Sequence, residues 1–193
     1  MNQPHIGASR KVPSRARMLA MALVAFVFCC AVQAQAPTRA QIEATFLFKF
    51  LEYVEWPATS VSSPESPYII GVLGSDPIAT AVEQTVTGEQ IRGHHIEARR
   101  FVDASHIGKC HILFIASSSA SRLPAILDKL KGRGILTVSD IPDFAAQGGM
   151  VGFVERDRKI RFQINVDAAR EGGVIISAKL LQLAQIVHSS ARR

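Results

Sequence analysis

Between Gly132 and Val187 the spacing of apolar and polar positions changes repeatedly, and each change marks an element. Ile135 to Val138 is a short apolar strand, Ser139-Asp140 with Pro142 supplies turn chemistry, and Gly148-Gly149 releases the chain into a second strand, Met150 to Val154. Glu155 to Arg158 is a charged turn. Lys159 to Asn165 then alternates, with Ile160, Phe162 and Ile164 on one face and Arg161 and Gln163 on the other, so an antiparallel hairpin is expected. After Gly172-Gly173, Ser177 can cap a helix whose Leu180, Leu183, Ala184 and Val187 follow the i, i+3, i+4, i+7 spacing of an apolar face.

Upstream, Thr38 and Gln41 form a capping box ahead of a helix carrying Ile42, Phe46, Phe50, Tyr53 and Val54 along one side, until Trp56-Pro57 halts it. The Pro/Ser-rich stretch from Pro57 to Pro67 is the one long loop. Tyr68 to Leu73 is a strand, and Ser75, Asp76 and Pro77 open a helix to about Thr87. His95 to Phe101 is a strand, His111 to Ala116 is a continuous apolar strand buried on both faces, and Ser121 to Leu130 is helical. Strands alternating with helices and ending in a hairpin predict an α/β fold: a single domain with a mixed sheet flanked by helices on both sides, a C-terminal antiparallel hairpin and a final amphipathic helix.

Read in order, LTVSD, GGM, RFQIN, DAAREGG and SAKLLQLA, preceded by IEATFLFKFLEYVEWP (Ile42 to Pro57), YIIGVLGSDP (Tyr68 to Pro77) and CHILFIASS (Cys110 to Ser118), make the chain resemble the YfiR family of small periplasmic proteins. The resemblance covers nearly everything after residue 40. It implies a periplasmic inhibitor that binds the periplasmic sensor domain of an inner-membrane diguanylate cyclase and holds the cytoplasmic enzyme inactive, with an outer-membrane lipoprotein able to sequester it. Members also sit beside other membrane sensors, histidine kinases included.

The first residues agree with export. Arg10, Lys11, Arg15 and Arg17 precede an uninterrupted apolar run of 13 residues, Met18 to Cys30, with small residues at Ala34 and Ala36. This is the layout of a secretory signal peptide, and the run falls short of the ~20 residues that span a bilayer. Cutting after Ala36 would put Pro37 past the bond, so residues 1–34 are read as the leader and residues 35–193 as the mature domain. Phe28 is too bulky to precede a lipidated Cys29. Removing the leader's four cations leaves 18 Lys and Arg against 16 acids, so the formal charge of +6 falls to +2 and gives no reason to invoke nucleic acid.

Cys29 and Cys30 leave with the leader, so Cys110 is the lone mature thiol, either a small buried hydrophobe or an intermolecular partner in a homodimer. The resemblance implies paired cysteines in relatives, with a partner to be sought in the strand Ile69 to Leu73, where this chain has Gly71.

Catalytic and cofactor chemistry find little support. His94, His95, His106, Cys110 and His111 lie close in sequence, but neighbours on a strand point to opposite faces, which argues against metal binding or a Cys-His nucleophile. GVLGSDP (Gly71 to Pro77) could present backbone N–H groups to an anion, yet Asp76 would stand in the way and is read as a helix cap. Asp140 and Asp143 are the best carboxylate pair, and Pro142 between them favours a turn. No catalytic residue, cofactor or metal is assigned.

What remains is a surface for other proteins. Phe46, Phe48, Phe50, Tyr53 and Trp56 cannot share one stripe, so Phe48 and Trp56 are candidate partner contacts, joined by Glu155, Arg156 and Arg158 of the charged turn. The competing reading is a periplasmic small-molecule binding module feeding a membrane sensor, with its cleft near Gly74-Ser75 and Ser139-Asp140. A hydrolase lacks a triad.

Overall fold

Thr38 starts the first helix, α1 (Arg39–Tyr53): its hydroxyl accepts from Gln41 N while Gln41 Oε1 accepts from Thr38 N, the reciprocal box read from the sequence. The computed structural model describes residues 36–56, 63 and 66–189, so the expected leader and most of the Pro57 to Pro67 loop lie outside the described residues. After α1 come β1 (Val54–Glu55), β2 (Tyr68–Leu73), α2 (Ile78–Val86), β3 (Gln90–Ile91) and β4 (His94–Phe101). β5 (Ile112–Ile115) leads through a 3-10 segment, Ser117–Arg122, into α3 (Leu123–Leu130). β6 (Leu136–Ser139), the hairpin β7 (Val151–Arg156) and β8 (Lys159–Asn165), α4 (Val166–Glu171), β9 (Ile175–Ile176), α5 (Ala178–Leu183) and β10 (Gln185–Val187) complete the domain.

The main sheet has eight strands in the order β10-β8-β7-β6-β5-β2-β4-β3. β4, β2, β5, β6 and β7 run parallel; β3 and β8 are antiparallel to β4 and β7; β10 rejoins β8 in parallel. β1 and β9 pair separately. The chain therefore runs outward from β2 to β4 and then crosses back to β5 on the other side of β2, which puts a topological switch point between β2 and β5.

Strand alternation builds two cores. Tyr68, Ile70 and Val72 of β2 and Ile112 and Phe114 of β5 face α1, α2, α4 and α5, while Ile69, Leu73, Leu113 and Ile115 face α3. Helices thus cover both faces, as the alternation predicted. On the larger side Phe46 and Phe50 of α1 meet Phe153 and Phe162 of the hairpin, with ring centroids 5.4 Å apart for Phe50–Phe162 and 5.8 Å for Phe46–Phe153. Such pairs add about 0.5–1.5 kcal/mol each beyond the area they bury.

Two sequence expectations shift. The buried face of α1 is Glu43, Ala44, Leu47, Phe50 and Leu51, rotated from the Ile42/Phe46/Phe50/Tyr53 side, because a glutamate occupies a core-facing position that apolar periodicity does not count. The final helix begins at the expected Ser177 cap but ends at Leu183: Ala184 turns extended, and Gln185–Val187 pair with Gln163–Asn165 as an edge strand. Leu180 is buried, whereas Leu183 is 72 % exposed.

Candidate functional site

The carboxyl ends of the parallel strands gather polar residues from four segments. α1 supplies Arg39 and Glu43, the turn after β2 supplies Gly74, Ser75 and Asp76, the turn after β5 supplies Ser118 and Ser119, and β6 ends in Ser139-Asp140. Gly74 adopts φ +97°, and a Cβ there would stand 2.7 Å from Ser118 Oγ and 2.9 Å from Ser119 Oγ, so the turn needs glycine on both counts. Ser75 N donates to Ser118 Oγ at 3.2 Å, and Asp76 Oδ1 accepts from Ile78 N, the first amide of α2, at 2.9 Å, although the N-cap position itself is Pro77 and not Asp76.

Glu43 is 3 % exposed and lies 2.8 Å from Arg39 Nε. Burial pushes its carboxyl up to about 7; Arg39 opposes the shift, and the charges of Asp140 and Asp76 reinforce it. Asp140 is half-buried, and burial and the charge of Asp76 push it up as well, with Arg39 again opposing. Glu43 and Asp140 both feel the guanidinium of Arg39 and the charge of Asp76. Asp143, the carboxyl paired with Asp140 in the sequence reading, is exposed and belongs to a separate cleft. The carboxyl acting on Asp140 is Asp76, and both act on Glu43, which was missed because its helical position carried no motif.

The charged turn lies at the same end of the sheet. β6 pairs Val138 and Ser139 with Val151 and Gly152, so Phe153 to Arg156 run on past β6. Asp157 and Arg158 have φ +52° and +57°, the two-residue type I′ geometry that suits strand twist and ordinarily selects Asn-Gly. Glu155, Arg156 and Arg158 are exposed. Glu155 sits 3.5 Å from Arg39, and Arg156 donates to Gln185 of β10 at 3.3 Å, so side chains tie the hairpin end to α1 and to the edge strand.

The aromatic candidates are placed differently. Phe48 is half-buried against the larger core, with Lys49 Nζ 5.2 Å from its ring centre. Trp56 is also half-buried at the amino ends of the strands; its indole N–H donates to His111 O at 3.2 Å and its ring meets His111 and Tyr68. The structure does not bring Phe48 and Trp56 together with the charged turn as one cluster: Trp56 belongs to the opposite end of the sheet.

Cys110 is 8 % exposed, its thiol donates to Ile112 O, and burial pushes it up to about 12. His111 is buried and accepts from Ile69 N through Nδ1, His106 faces Asp103, and His94 faces Ser66 O. Among the described residues no group of three His, Cys, Asp or Glu side chains is placed to hold a metal ion. A cleft of about 1330 Å³ lies away from the switch point, lined by Leu127, Lys131, Thr137, Gln147, Met150 and Glu171 among others. No helix among the described residues is long and apolar enough to cross a membrane.

No curated protein matches the chain. A solved structure, an ABC domain in complex with L-Trp from Streptococcus pneumonia, is 14 % identical, covers 67 % of this chain and gives a TM-score of 0.46; the match spans 58 % of that structure's length, a likeness too slight to inform fold or ligand. A family model described as YfiR/HmsC-like matches residues 40–185, from the first turn of α1 to the start of β10. That span holds both cores, the switch-point turns and the hairpin, and on it the chain belongs to the YfiR/HmsC-like family.

Proposed function

We propose that this protein is an exported, non-enzymatic regulator that binds the periplasmic sensor domain of an inner-membrane diguanylate cyclase and holds the enzyme inactive, lowering cyclic di-GMP. The family match over residues 40–185 carries the reading: it supports a regulatory, non-catalytic, periplasmic role in cyclic di-GMP signalling. The finer steps rest on features of the chain. Residues 1–34 have the charge, apolar run and small residues of a cleaved leader, which would deliver the domain to the compartment where such a sensor is exposed.

The hairpin end is the surface we assign to the partner. Arg158 occupies a left-handed position where glycine would cost less, and strain kept at an exposed, charged turn supports a contact role. Arginine is also among the residues that most often anchor interfaces. An outer-membrane lipoprotein that sequesters the regulator would compete for it. The test is direct binding between the purified domain and the periplasmic domain of the candidate cyclase. Arg156→Glu with Arg158→Glu should weaken capture at least about tenfold while leaving the thermal midpoint nearly unchanged. Undiminished capture by that variant would move the interface elsewhere.

A further inference from the structure

The main sheet ends unevenly beyond β8. That strand pairs with β7 along its whole length, whereas β10 covers only Gln163 to Asn165, so among the described residues no strand lies on the outer side of Lys159 to Phe162. Asn165 N donates to Met150 O at 2.8 Å, which directs Asn165 to the β7 side, and alternation turns the backbone groups of Ile160, Phe162 and Ile164 outward. Ile164 lies opposite Ile186 of β10. Ile160 and Phe162 are left presenting an N–H and a C=O each to a side with no strand, the template on which another chain can add. Where β10 begins, Leu183 to Val187 carry neither charge nor proline, and Leu183 and Ile186 are exposed.

Charge selects what can add there. The Ile160 and Phe162 side chains pack on the larger core, so Lys159 and Arg161, both exposed, stand on the opposite, solvent face. With Arg156 and Arg158 they set four cations against Glu155 and Asp157. Arg158, Lys159 and Arg161 have no ion-pair partner among the described residues, and Arg156 reaches Gln185 of β10 at 3.3 Å, so the open stretch is continuous with the hairpin end. A second copy pairing here would set these cations against themselves, and like charges on facing strands repel. We propose that the open stretch of β8 takes an extended segment of the partner as an added strand, with acidic residues against Lys159 and Arg161 on its solvent face and apolar residues beside Ile160 on the other. The inference rests on the reading of the hairpin end as the partner surface and adds the form of what binds: main-chain hydrogen bonds supply affinity, and alternating side chains supply specificity.

The experiment is an NMR titration of isotope-labelled protein recovered from the periplasm with a blocked hexapeptide that alternates glutamate and valine. Saturable shifts centred on Ile160 and Phe162 are expected, with exchange of their amide hydrogens slowed at least about tenfold at saturation. The same peptide with lysine for glutamate should give neither. Ile160→Pro removes an outward donor without touching a bond to β7, a place where strands tolerate proline, and should weaken peptide binding at least about tenfold. Arg161→Glu, at an exposed position, should do the same and guards against a proline variant that fails to fold. No saturable shift with the acidic peptide, equal shifts with the lysine peptide, or unslowed exchange at both amides would overturn the inference. The cyclase reading fails separately. Peptide addition to β8 without capture of the cyclase domain would support the added strand and remove that partner, whereas capture at parental strength by both variants would remove the added strand and leave the hairpin reading in place.

Discussion

The Cβ that Gly71 lacks would fall 2.9 Å from the sulfur of Cys110. Gly71 lies opposite Leu113 on the neighbouring parallel strand, and Cys110 leads into that strand, so the two positions share the α3 side of the sheet. Across a disulfide a Cβ and the far sulfur are about 3 Å apart. The resemblance to the family implied a pairing cysteine in this strand, and the geometry here is that of a bridge with one half replaced by glycine.

Gly71→Cys is therefore expected to form an intramolecular disulfide with Cys110 on export. The new Cβ must displace the Phe101 ring, whose Cε2 would be 2.6 Å away, and that ring is only half-buried. Thiol titration under denaturing conditions should find no free sulfhydryl, and the urea midpoint should rise with a gain of up to about 3–4 kcal/mol. Two free thiols would show that Phe101 holds the strands' side chains apart. In the parent protein Cys110, buried and pushed up to about 12, should label only on unfolding.

Glu43 makes stability fall with rising pH. An ordinary glutamate releases its proton near 4.5, but burial holds Glu43 protonated until about 7. Between these values the folded state keeps a proton that the unfolded chain has lost, so each unit of pH erodes stability, by roughly 3 kcal/mol at most over the window. Glu43→Gln should be more stable than the parent at about pH 8 and lose that advantage near pH 4. Chemical denaturation across pH measures it; a difference constant with pH would refute the assignment.

Arg158 separates strain from contact. Replacing it with glycine relieves the left-handed backbone and should stabilise the domain by about 1 kcal/mol. If the hairpin end meets the partner, the same variant should bind less tightly while melting higher. A variant that is more stable and binds equally well would leave Arg158 with no part in recognition.

These contrasts also show what the sequence could disclose. The Tyr68–Leu73 and Lys159–Asn165 strands and the Thr38 and Ser177 caps were legible because period, turn residues and capping chemistry all act locally. β10 was not: Gln185 to Val187 fit the helical spacing, and the open edge of β8 redirects them through backbone hydrogen bonds that no side-chain pattern encodes. α4 and β9 were too short to show a period. At the site, the turns after β2 and β6 announced themselves through Gly, Ser and Asp. Glu43 did not, because a lone glutamate on a helix reads as solvent-facing until the fold sets it against Asp76 and Asp140.

The central claim is regulation of a periplasmic sensor, and cyclic di-GMP in a deletion strain tests it most directly. Removing the gene should raise cyclic di-GMP and surface attachment, the full-length chain should restore both, and a version lacking residues 1–34 should fail because it cannot reach the partner. Cyclic di-GMP that stays at the parental level in the deletion strain would contradict the cyclase as the target.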